Sequence, residues 1–449
     1  MTPTAIRADL LDFSATPAFG AGGLPGASEP HGVRFRPDHW LLVGADGRIE
    51  AVTADEPGPD WQRHDHRGRL LMPGFIDTHV HAPQLDIIAS HGSGLLDWLD
   101  TYTFPAEQRH ADPQAAAVGA ELFLDALLAH GTTAAVVFAT VHPASAQALF
   151  EAATHRNMRL VTGKVLMDRH APPGLRDDMG SAEADCKTLI QRWHGQGRNA
   201  VAVTVRFAIT STPEQLAMAG ALGQRHEGLF MQTHVAEHRD EVKQVAALFP
   251  EARSYLDVYH RHGLLHPRSV LAHGIWIDDA DRALLAETGA QIAHCPTSNL
   301  FLGSGLYDWR AAHRAGHAVS LGTDVGGGTS LSMLRTMAEA YKVQALQDLR
   351  LSAWTLLHAA TRGAAEALGL AAEIGHLDAG ALADVVVWDW AVGPVASHRD
   401  AVARGSFEGI AAQNLHARVF AWLTLGDERN VAATYVAGQR LYVRPSSAA

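Results

Sequence analysis

The sequence predicts a (β/α)8 barrel of the TIM type, joined to a small β-sandwich domain that both chain termini build. The middle of the chain alternates short apolar runs with stretches of helical periodicity, which is typical of a barrel of parallel strands. Both ends of the chain contain strand and hairpin patterns instead. The length of 449 residues suits a large α/β domain with an accessory domain.

Residues 1–70 are predicted to form the first part of the β-sandwich domain. The apolar run His39–Gly44 and the run Ile49–Val52 are separated by the turn Ala45–Arg48, which contains Asp-Gly. Asp-Gly between two such runs is a hairpin signal, so this segment is expected to pair with itself.

Residues 376–449 are predicted to form the second part of that domain. They contain a strand at Ala383–Trp388 and a hairpin over Thr434–Val443, with Gly438 in its turn. Because chain ends often lie close together, the two segments are expected to share one domain rather than to form unrelated extensions.

Residues 71–375 are predicted to form the barrel. Eight apolar runs supply its strands: Gly74–His81, Thr133–Ala139, Leu160–Met167, Ala200–Ile209, Leu229–His234, Ser269–His273, Ala290–His294 and Ala318–Gly322. Helical patterns between them include Gln114–His130, Pro213–His226, Arg239–Phe249 and Asp279–Thr288. A doubly wound open sheet is the alternative, but no glycine-rich phosphate loop follows the first strand, and Gly326–Gly328 does not match that motif.

Composition excludes several classes of partner. The net charge of −12 and the absence of a basic run argue against nucleic acid. The two cysteines, Cys186 and Cys295, exclude a disulfide framework and favour a reducing compartment. Met1–Phe19 has no signal-peptide pattern, and no window reaches the roughly 18 consecutive apolar residues of a spanning helix. The sequence therefore predicts a soluble cytoplasmic protein without a membrane partner.

Polar residues end several of the predicted barrel strands. His79 and His81 lie two apart at the end of the first strand, so both imidazoles can point to the same side. His234 ends the fifth strand, His273 ends the sixth, and Asp324 follows the eighth. Because the carboxyl ends of barrel strands carry the active site, these five side chains are expected to meet.

This set of side chains predicts a metal site. One His-x-His pair is a weak signal among 27 histidines, and His64-Asp65-His66 has the same spacing; the repetition at further strand ends is what indicates a site. Four of the five side chains can hold one divalent metal, zinc or ferrous iron, while the fifth steers a water molecule. The fourth strand, Ala200–Phe207, has no lysine or glutamate to bridge a second metal, so a mononuclear site is predicted.

Glu237 is the candidate general acid or base. It lies three residues after His234, where a loop and a helix follow the fifth strand, so its carboxyl can reach a substrate beside the metal. The competing interpretation is an ordinary glutamate that the helix dipole favours at an N-terminus. Asp324 can both bind the metal and take a proton from the water.

Motifs along the chain resemble one enzyme family. Pro73–His81 resembles the first-strand signature of the metal-dependent amidohydrolase superfamily. Further segments are similar to those of the guanine deaminases, in its mononuclear branch: Leu95–Glu107, Val205–Phe207, Gln232–Val242, Ala293–Asn299 and Gly322–Gly328. Thr103–Glu107 is the most family-specific of them, and the resemblance covers nearly the whole chain. Thr233 and Thr297 are small departures from the family pattern.

The resemblance implies a role for each site residue. The implied zinc ligands, with ferrous iron as the alternative metal, are His79, His81, His234 and Asp324. His273 would orient the attacking water, and Glu237 would protonate a ring nitrogen of the purine. The implied substrate contacts are Gln84, Arg206, Phe207, His234, Glu237 and Asp324. The expected reaction converts guanine and water to xanthine and ammonia, and the expected assembly is a homodimer.

Three rival functions make different demands on the sequence. A related deaminase would act on 8-oxoguanine, cytosine, a triazine or a pterin, but Gln84 and Leu95–Glu107 favour guanine. A non-enzymatic scaffold would have lost ligands, and every implied ligand is present. The unrelated zinc deaminase fold needs neighbouring cysteine ligands, which Cys186 and Cys295 do not offer.

Overall fold

The computed structural model describes residues 2–20, 31–92, 94–405 and 411–445. Residues 21–30, 406–410 and 446–449 of the predicted terminal segments lie outside the described residues. The chain forms two compact units. One comprises Met1–Ile76, Asp125–Ala134 and Ser332–Ala449, and the other comprises Asp77–Leu124 and Ala135–Leu331. The boundaries placed after residues 70 and 375 from the sequence pattern stay a prediction.

Within the described ranges the strands β1 to β16 are, in chain order, Thr4–Phe13, Val33–Val43, Ile49–Thr53, Gln62–Pro73, Phe75–His81, Thr132–Phe138, Arg159–Gly163, Val165–Leu166, Asn199–Val205, Phe230–Val235, Ser269–His273, Gln291–His294, Val319–Leu321, Val385–Trp388, Val431–Val436 and Gln439–Val443. The helices α1 to α16 are Leu95–Trp98, Phe104–Arg109, Pro113–Ala129, Pro143–Arg156, Met179–Trp193, Pro213–Arg225, Arg239–Leu248, Tyr255–Arg261, Asp279–Thr288, Pro296–Phe301, Trp309–Ala315, Met333–Ala345, Ala353–Ala359, Arg362–Ala367, Pro394–Gly405 and Ala411–Leu425. None of the helices in the described part of the chain is long and apolar enough to cross a membrane.

The strands of the middle of the chain form one nearly closed sheet. Its order is β13-β12-β11-β10-β9-β7-β6-β5, with β8 paired to β9. The pairing from β7 and β8 to β13 is parallel. Helices follow most of the strands, so the chain alternates β and α elements. The predicted (β/α)8 barrel is confirmed.

Hydrogen bonds between β5 and the segment after β13 close the barrel. The backbone N–H of Asp324 donates to His79 O at 2.8 Å, and that of His81 donates to Val325 O at 2.9 Å. Gly322 allows this close approach, because a Cβ at that position would lie 2.8 Å from the Cβ of His79. The first strand and the segment that carries Asp324 are therefore held side by side.

Each of the eight predicted runs contains a strand, and two runs differ in extent. The third is interrupted at Lys164, whose buried ammonium group pairs with Asp177, and β7 and β8 lie on either side of it. The fourth strand ends at Val205, because the chain then forms a short 3-10 turn at Ala208–Thr210. The turn is fixed by Ala208, whose N–H donates to the hydroxyl of Tyr259 at 3.0 Å.

Strands from both chain ends form a second sheet of seven strands, in the order β16-β15-β14-β4-β1-β2-β3. β1 and β4 pair in parallel, and the remaining pairs are antiparallel. The predicted hairpins are present as β2–β3 and β15–β16. A buried apolar cluster joins residues from both ends, including Ile6, Leu41, Leu71, Val385 and Tyr435. The predicted domain of mixed chain ends is therefore confirmed.

The second His-x-His pair lies on this sheet. His64 and His66 are both on β4. Nδ1 of His64 is 2.9 Å and Nε2 of His66 is 3.1 Å from the hydroxyl of Tyr435. These two rings therefore contact a tyrosine on β15.

Candidate metal and active site

The four predicted metal ligands lie together at the carboxyl end of the barrel strands. Nε2 of His81 is 3.3 Å from Nε2 of His79 and 3.2 Å from Nε2 of His234. Oδ1 of Asp324 is 3.1 Å from Nε2 of His79 and 3.2 Å from Nε2 of His81. The histidines lie on β5 and β10, and Asp324 follows β13. Because the strands are parallel, their carboxyl ends share one end of the barrel, and the side chains converge.

These separations fit a single tetrahedral metal. Ligand atoms about 2.0–2.1 Å from a zinc ion lie about 3.3–3.4 Å apart along the edges of a tetrahedron. Nδ1 of His234 is 2.6 Å from the carbonyl oxygen of Arg206, so Nδ1 is the donor and Nε2 presents its lone pair. His273, which is not one of the four predicted ligands, also adjoins this cluster: its ligand atom and those of His79, His234 and Asp324 all lie within 4.8 Å of one another. The donor set therefore suits a divalent metal.

His273 stands between this cluster and Glu237. Its Nδ1 donates to Oδ1 of Asn299 at 2.8 Å, so its Nε2 faces the site. Nε2 is 3.7 Å from Oδ2 of Asp324 and 3.4 Å from Oε2 of Glu237. It is buried without a hydrogen-bond partner among the described residues. This nitrogen is placed to hold a water molecule between the metal ligands and the acid.

The backbone at two of these positions is left-handed. His273 has φ 73° and Asp324 has φ 50°, in a region that few residues other than glycine adopt, although asparagine, aspartate and histidine do so more often than the rest. Such conformations persist only where the surrounding structure enforces them, and they cluster at functional sites. The barrel closure around Asp324 and the contact of His273 with Asn299 provide that enforcement.

Glu237 precedes α7 and faces the site instead of capping the helix. His238 is the N-cap residue, and the side chain of Glu241 accepts from the N–H of Glu237 at 2.9 Å. Ser304 Oγ donates to Oε1 of Glu237 at 2.7 Å, which leaves Oε2 directed at His273. Burial, helped by the nearby carboxylate of Asp324, raises the pKa of Glu237 to about 8. The neutral acid therefore predominates at pH 7.

Asp324 has the opposite electrostatic character. Burial acts to raise its pKa, but the charge of His79 and hydrogen bonds from His79 and His81 outweigh burial and hold the pKa well below its ordinary value. Burial also lowers the pKa of His81 to about 3. The site thus presents an ionised Asp324 and a neutral imidazole at His81, which are protonation states that metal binding needs.

A cavity opens beside the four predicted metal ligands. All six predicted substrate contacts line it: Gln84, Arg206, Phe207, His234, Glu237 and Asp324. Leu95, Trp98, Leu99 and Leu302 add apolar walls. Side chains from six separate parts of the barrel chain therefore meet around one space, whose mixed polar and apolar lining is typical of a small-molecule site.

Three partners of the site residues were not predicted from the sequence. Asn299 holds His273, Ser304 holds Glu237, and the buried carboxylate of Glu107 pairs with Arg206 at 2.7 Å. Asn299 and Glu107 lie inside motifs that resemble the deaminases, so the motifs carried a signal for both. Ser304 lies in a glycine-containing loop without such a signal.

Comparisons with known proteins identify the family of this chain. Residues 70–441 match the family model described as the amidohydrolase family. The chain is 43% identical over 417 residues to guanine deaminase from Escherichia coli (strain K12), covering 92% of this chain and 93% of that protein. It is 32% identical over 431 residues to guanine deaminase from Mus musculus, covering 91% of this chain and 93% of that protein.

Solved structures give the same result. The structure of E. coli guanine deaminase matches with a TM-score of 0.90 at 39% identity, covering 99% of this chain and 100% of that one. Guanine deaminase from Bradyrhizobium japonicum matches with a TM-score of 0.92 at 32% identity, with coverage of 99% and 100%. The resemblance that the motifs indicated is confirmed. This chain belongs to the amidohydrolase family.

Proposed function

We propose that this protein catalyses the hydrolytic deamination of guanine to xanthine and ammonia. The observation that carries the proposal is the convergence of a buried neutral acid, Glu237, and two polar purine contacts, Gln84 and Arg206, on one cavity beside the metal ligands. Similarity to guanine deaminases over more than nine-tenths of the chain supports guanine as the substrate.

The residues divide the proton transfers between them. As the oxygen of water bonds to C2, Glu237 donates a proton from Oε2 to the adjacent ring nitrogen, and Asp324 accepts a proton from the water. Asp324 then returns that proton to the amino group, which leaves as ammonia when its bond to C2 breaks. Glu237 recovers its proton from the new hydroxyl, which becomes the carbonyl of xanthine. Every proton is accounted for, and both carboxyl groups return to their starting states.

His273 orients the reacting water. Its Nδ1 donates to Asn299, so the Nε2 lone pair is free to accept a hydrogen bond from that water. A divalent cation held by His79, His81, His234 and Asp324, which we propose to be zinc with ferrous iron as the alternative, would supply a Lewis acid that lowers the pKa of water toward neutrality.

Arg206 and Gln84 bind the base in this proposal. Arginine has only donors, so Arg206 suits the purine carbonyl, whereas Gln84 can both donate and accept. Phe207 lines the same cavity and offers an apolar contact to the ring. Together these side chains would place C2 toward the water and the acid.

Ammonia release from a panel of heterocycles tests the proposal. The panel contains guanine, 8-oxoguanine, cytosine, a 2-aminopterin and an aminotriazine, and the product is identified by its ultraviolet spectrum. We expect the highest kcat/KM for guanine, with xanthine as the product and about one metal ion per chain by mass spectrometry. A higher kcat/KM for another member of the panel would assign this barrel to a different substrate.

We further propose a cytoplasmic homodimer without nucleic-acid or membrane partners. Composition and the family resemblance support this proposal. Light scattering of the purified protein gives the mass in solution, and a monomeric mass across a range of concentrations would reject the dimer.

A further inference from the structure

Glu107 is a buried carboxylate that touches both polar contacts of the base. It lies on α2 and has no exposed surface. Nη1 of Arg206 donates to Oε1 of Glu107 at 2.7 Å and to Oε2 at 2.8 Å. Nε2 of Gln84 donates to Oε1 at 3.1 Å. One side chain therefore holds two groups that line the cavity.

These bonds determine which donors face the cavity. Arginine has five N–H donors, and Nη1 is the nitrogen that is directed at the two oxygens of Glu107. Nη2 and Nε of Arg206 have no hydrogen-bond partner within the described ranges and remain available. Oε1 of Gln84 accepts from the N–H of Gly326 at 3.2 Å, so the amide is held at both ends and cannot turn over without losing a bond. One N–H of Gln84 remains.

Glu107 also balances charge in the pocket. Arg206 is almost fully buried, and a buried guanidinium without a counter-charge would favour an anionic ligand. The paired carboxylate leaves the Arg206–Glu107 pair without net charge. A neutral base that offers a carbonyl acceptor fits such an array of donors, and a base without that carbonyl leaves them unpaired.

We infer that Glu107 is a positioning residue that makes the pocket selective for purines with a carbonyl at C6, an inference that rests on the proposed guanine deaminase function. Glu107 does not touch the reacting atoms. It acts by aiming the free donors of Arg206 and the amide of Gln84. Loss of the carboxylate would free both groups to rotate.

The test compares guanine with 2-aminopurine, which keeps the C2 amino group and lacks the C6 carbonyl. For Glu107→Gln we expect kcat/KM for guanine to fall about 100-fold, mainly through a higher KM. Arg206 and Gln84 would no longer be held in the orientation that binds guanine, and this binding is the same in the ground state and the transition state. We expect kcat/KM for 2-aminopurine to change by less than about threefold, because it lacks the carbonyl that Arg206 would bind and so has less binding to lose. The ratio of kcat/KM for guanine to kcat/KM for 2-aminopurine should therefore fall strongly.

Glu107→Asp is the second variant, because it keeps the charge and shortens the side chain. We expect Glu107→Asp to recover about a tenth or more of the wild-type ratio of kcat/KM for guanine to kcat/KM for 2-aminopurine. This result can be measured even if Glu107→Gln folds poorly. If both variants lowered kcat/KM equally for guanine and 2-aminopurine, the inference would be overturned. The Arg206–Glu107 ion pair would then have only a structural role.

Asp177→Asn is the matched control. Asp177 pairs with buried Lys164 away from the cavity lining, so its loss also breaks a buried ion pair. We expect lower thermal stability and an unchanged ratio of the two substrates. A similar change of ratio in this control would overturn the inference. Wild-type protein that releases no ammonia from guanine would instead reject the proposed function itself.

Discussion

Replacement of Glu237 by glutamine tests the proton donor directly. Glutamine has nearly the same size, and its side-chain oxygen can still accept the hydrogen bond that Ser304 Oγ makes to Oε1 at 2.7 Å. The metal ligands are untouched. With a pKa of about 8, Glu237 is mainly protonated at pH 7, which is the state that the proposed acid role requires.

The expected loss follows from what glutamine cannot do. An amide can donate a hydrogen bond to the ring nitrogen but cannot transfer a proton to it. General acid catalysis contributes about 10²–10⁴-fold, or about 3–5 kcal/mol of transition-state stabilisation. Because the proposed mechanism assigns two proton transfers to Glu237, we expect the upper half of that range, with kcat lower by about 10³–10⁴-fold.

The assay combines guanine turnover at pH 7 with metal content by mass spectrometry. We expect Glu237→Gln to keep the wild-type metal content. Glu214→Gln, an exposed residue at the start of α6, is the control and should retain full turnover. A kcat for Glu237→Gln within about tenfold of wild type, with metal bound, would refute the acid role.

Further changes probe the metal, the packing and the pH response. His79→Ala should lose bound metal and turnover together; metal retained at full stoichiometry would contradict its role as a ligand. Tyr259→Phe should lower the free energy of unfolding by about 1–3 kcal/mol in urea titrations, because the hydroxyl donates to His234 O at 2.8 Å and accepts from Ala208 N at 3.0 Å. An unchanged urea midpoint would show that these two hydrogen bonds do not stabilise the fold. Burial lowers the pKa of His66 from 6.5 to about 4, so the folded state binds this proton less readily than the unfolded state does. The stability that His66 contributes above pH 6.5 is therefore lost as the pH falls toward 4. His66→Gln should therefore lose less stability than wild type between pH 7 and pH 4.5, and equal losses would count against this explanation.

The fold could be predicted because its signals are local. Each barrel run is bounded by polar or turn residues, and the Asp-Gly turn before Ile49 and the turn at Gly438 identify the hairpins. The interruption at Lys164 could not be read in the same way. It depends on Asp177, which is thirteen residues further along and belongs to the loop before α5. Strand ends that depend on a distant partner leave no periodic pattern in the sequence.

The convergence of the proposed metal ligands could be predicted for a geometric reason. Parallel strands place their carboxyl ends together, so polar residues at those ends converge whatever the details of packing. The partners of those residues follow no such rule. Ser304 reaches Glu237 across 67 positions of the sequence, and Glu107 reaches Arg206 across 99. Only the structure shows which side chains hydrogen-bond to the site residues and hold them in place.

The left-handed backbone at His273 and Asp324 has a consequence for engineering. Each such conformation carries a cost of about 1–3 kcal/mol for a side chain that disfavours it, and glycine would relieve that cost. Heat resistance and turnover therefore make opposing demands at these two positions. A library selected for thermal tolerance alone would tend to accumulate variants that survive heating and no longer work, so each round of selection should also measure product.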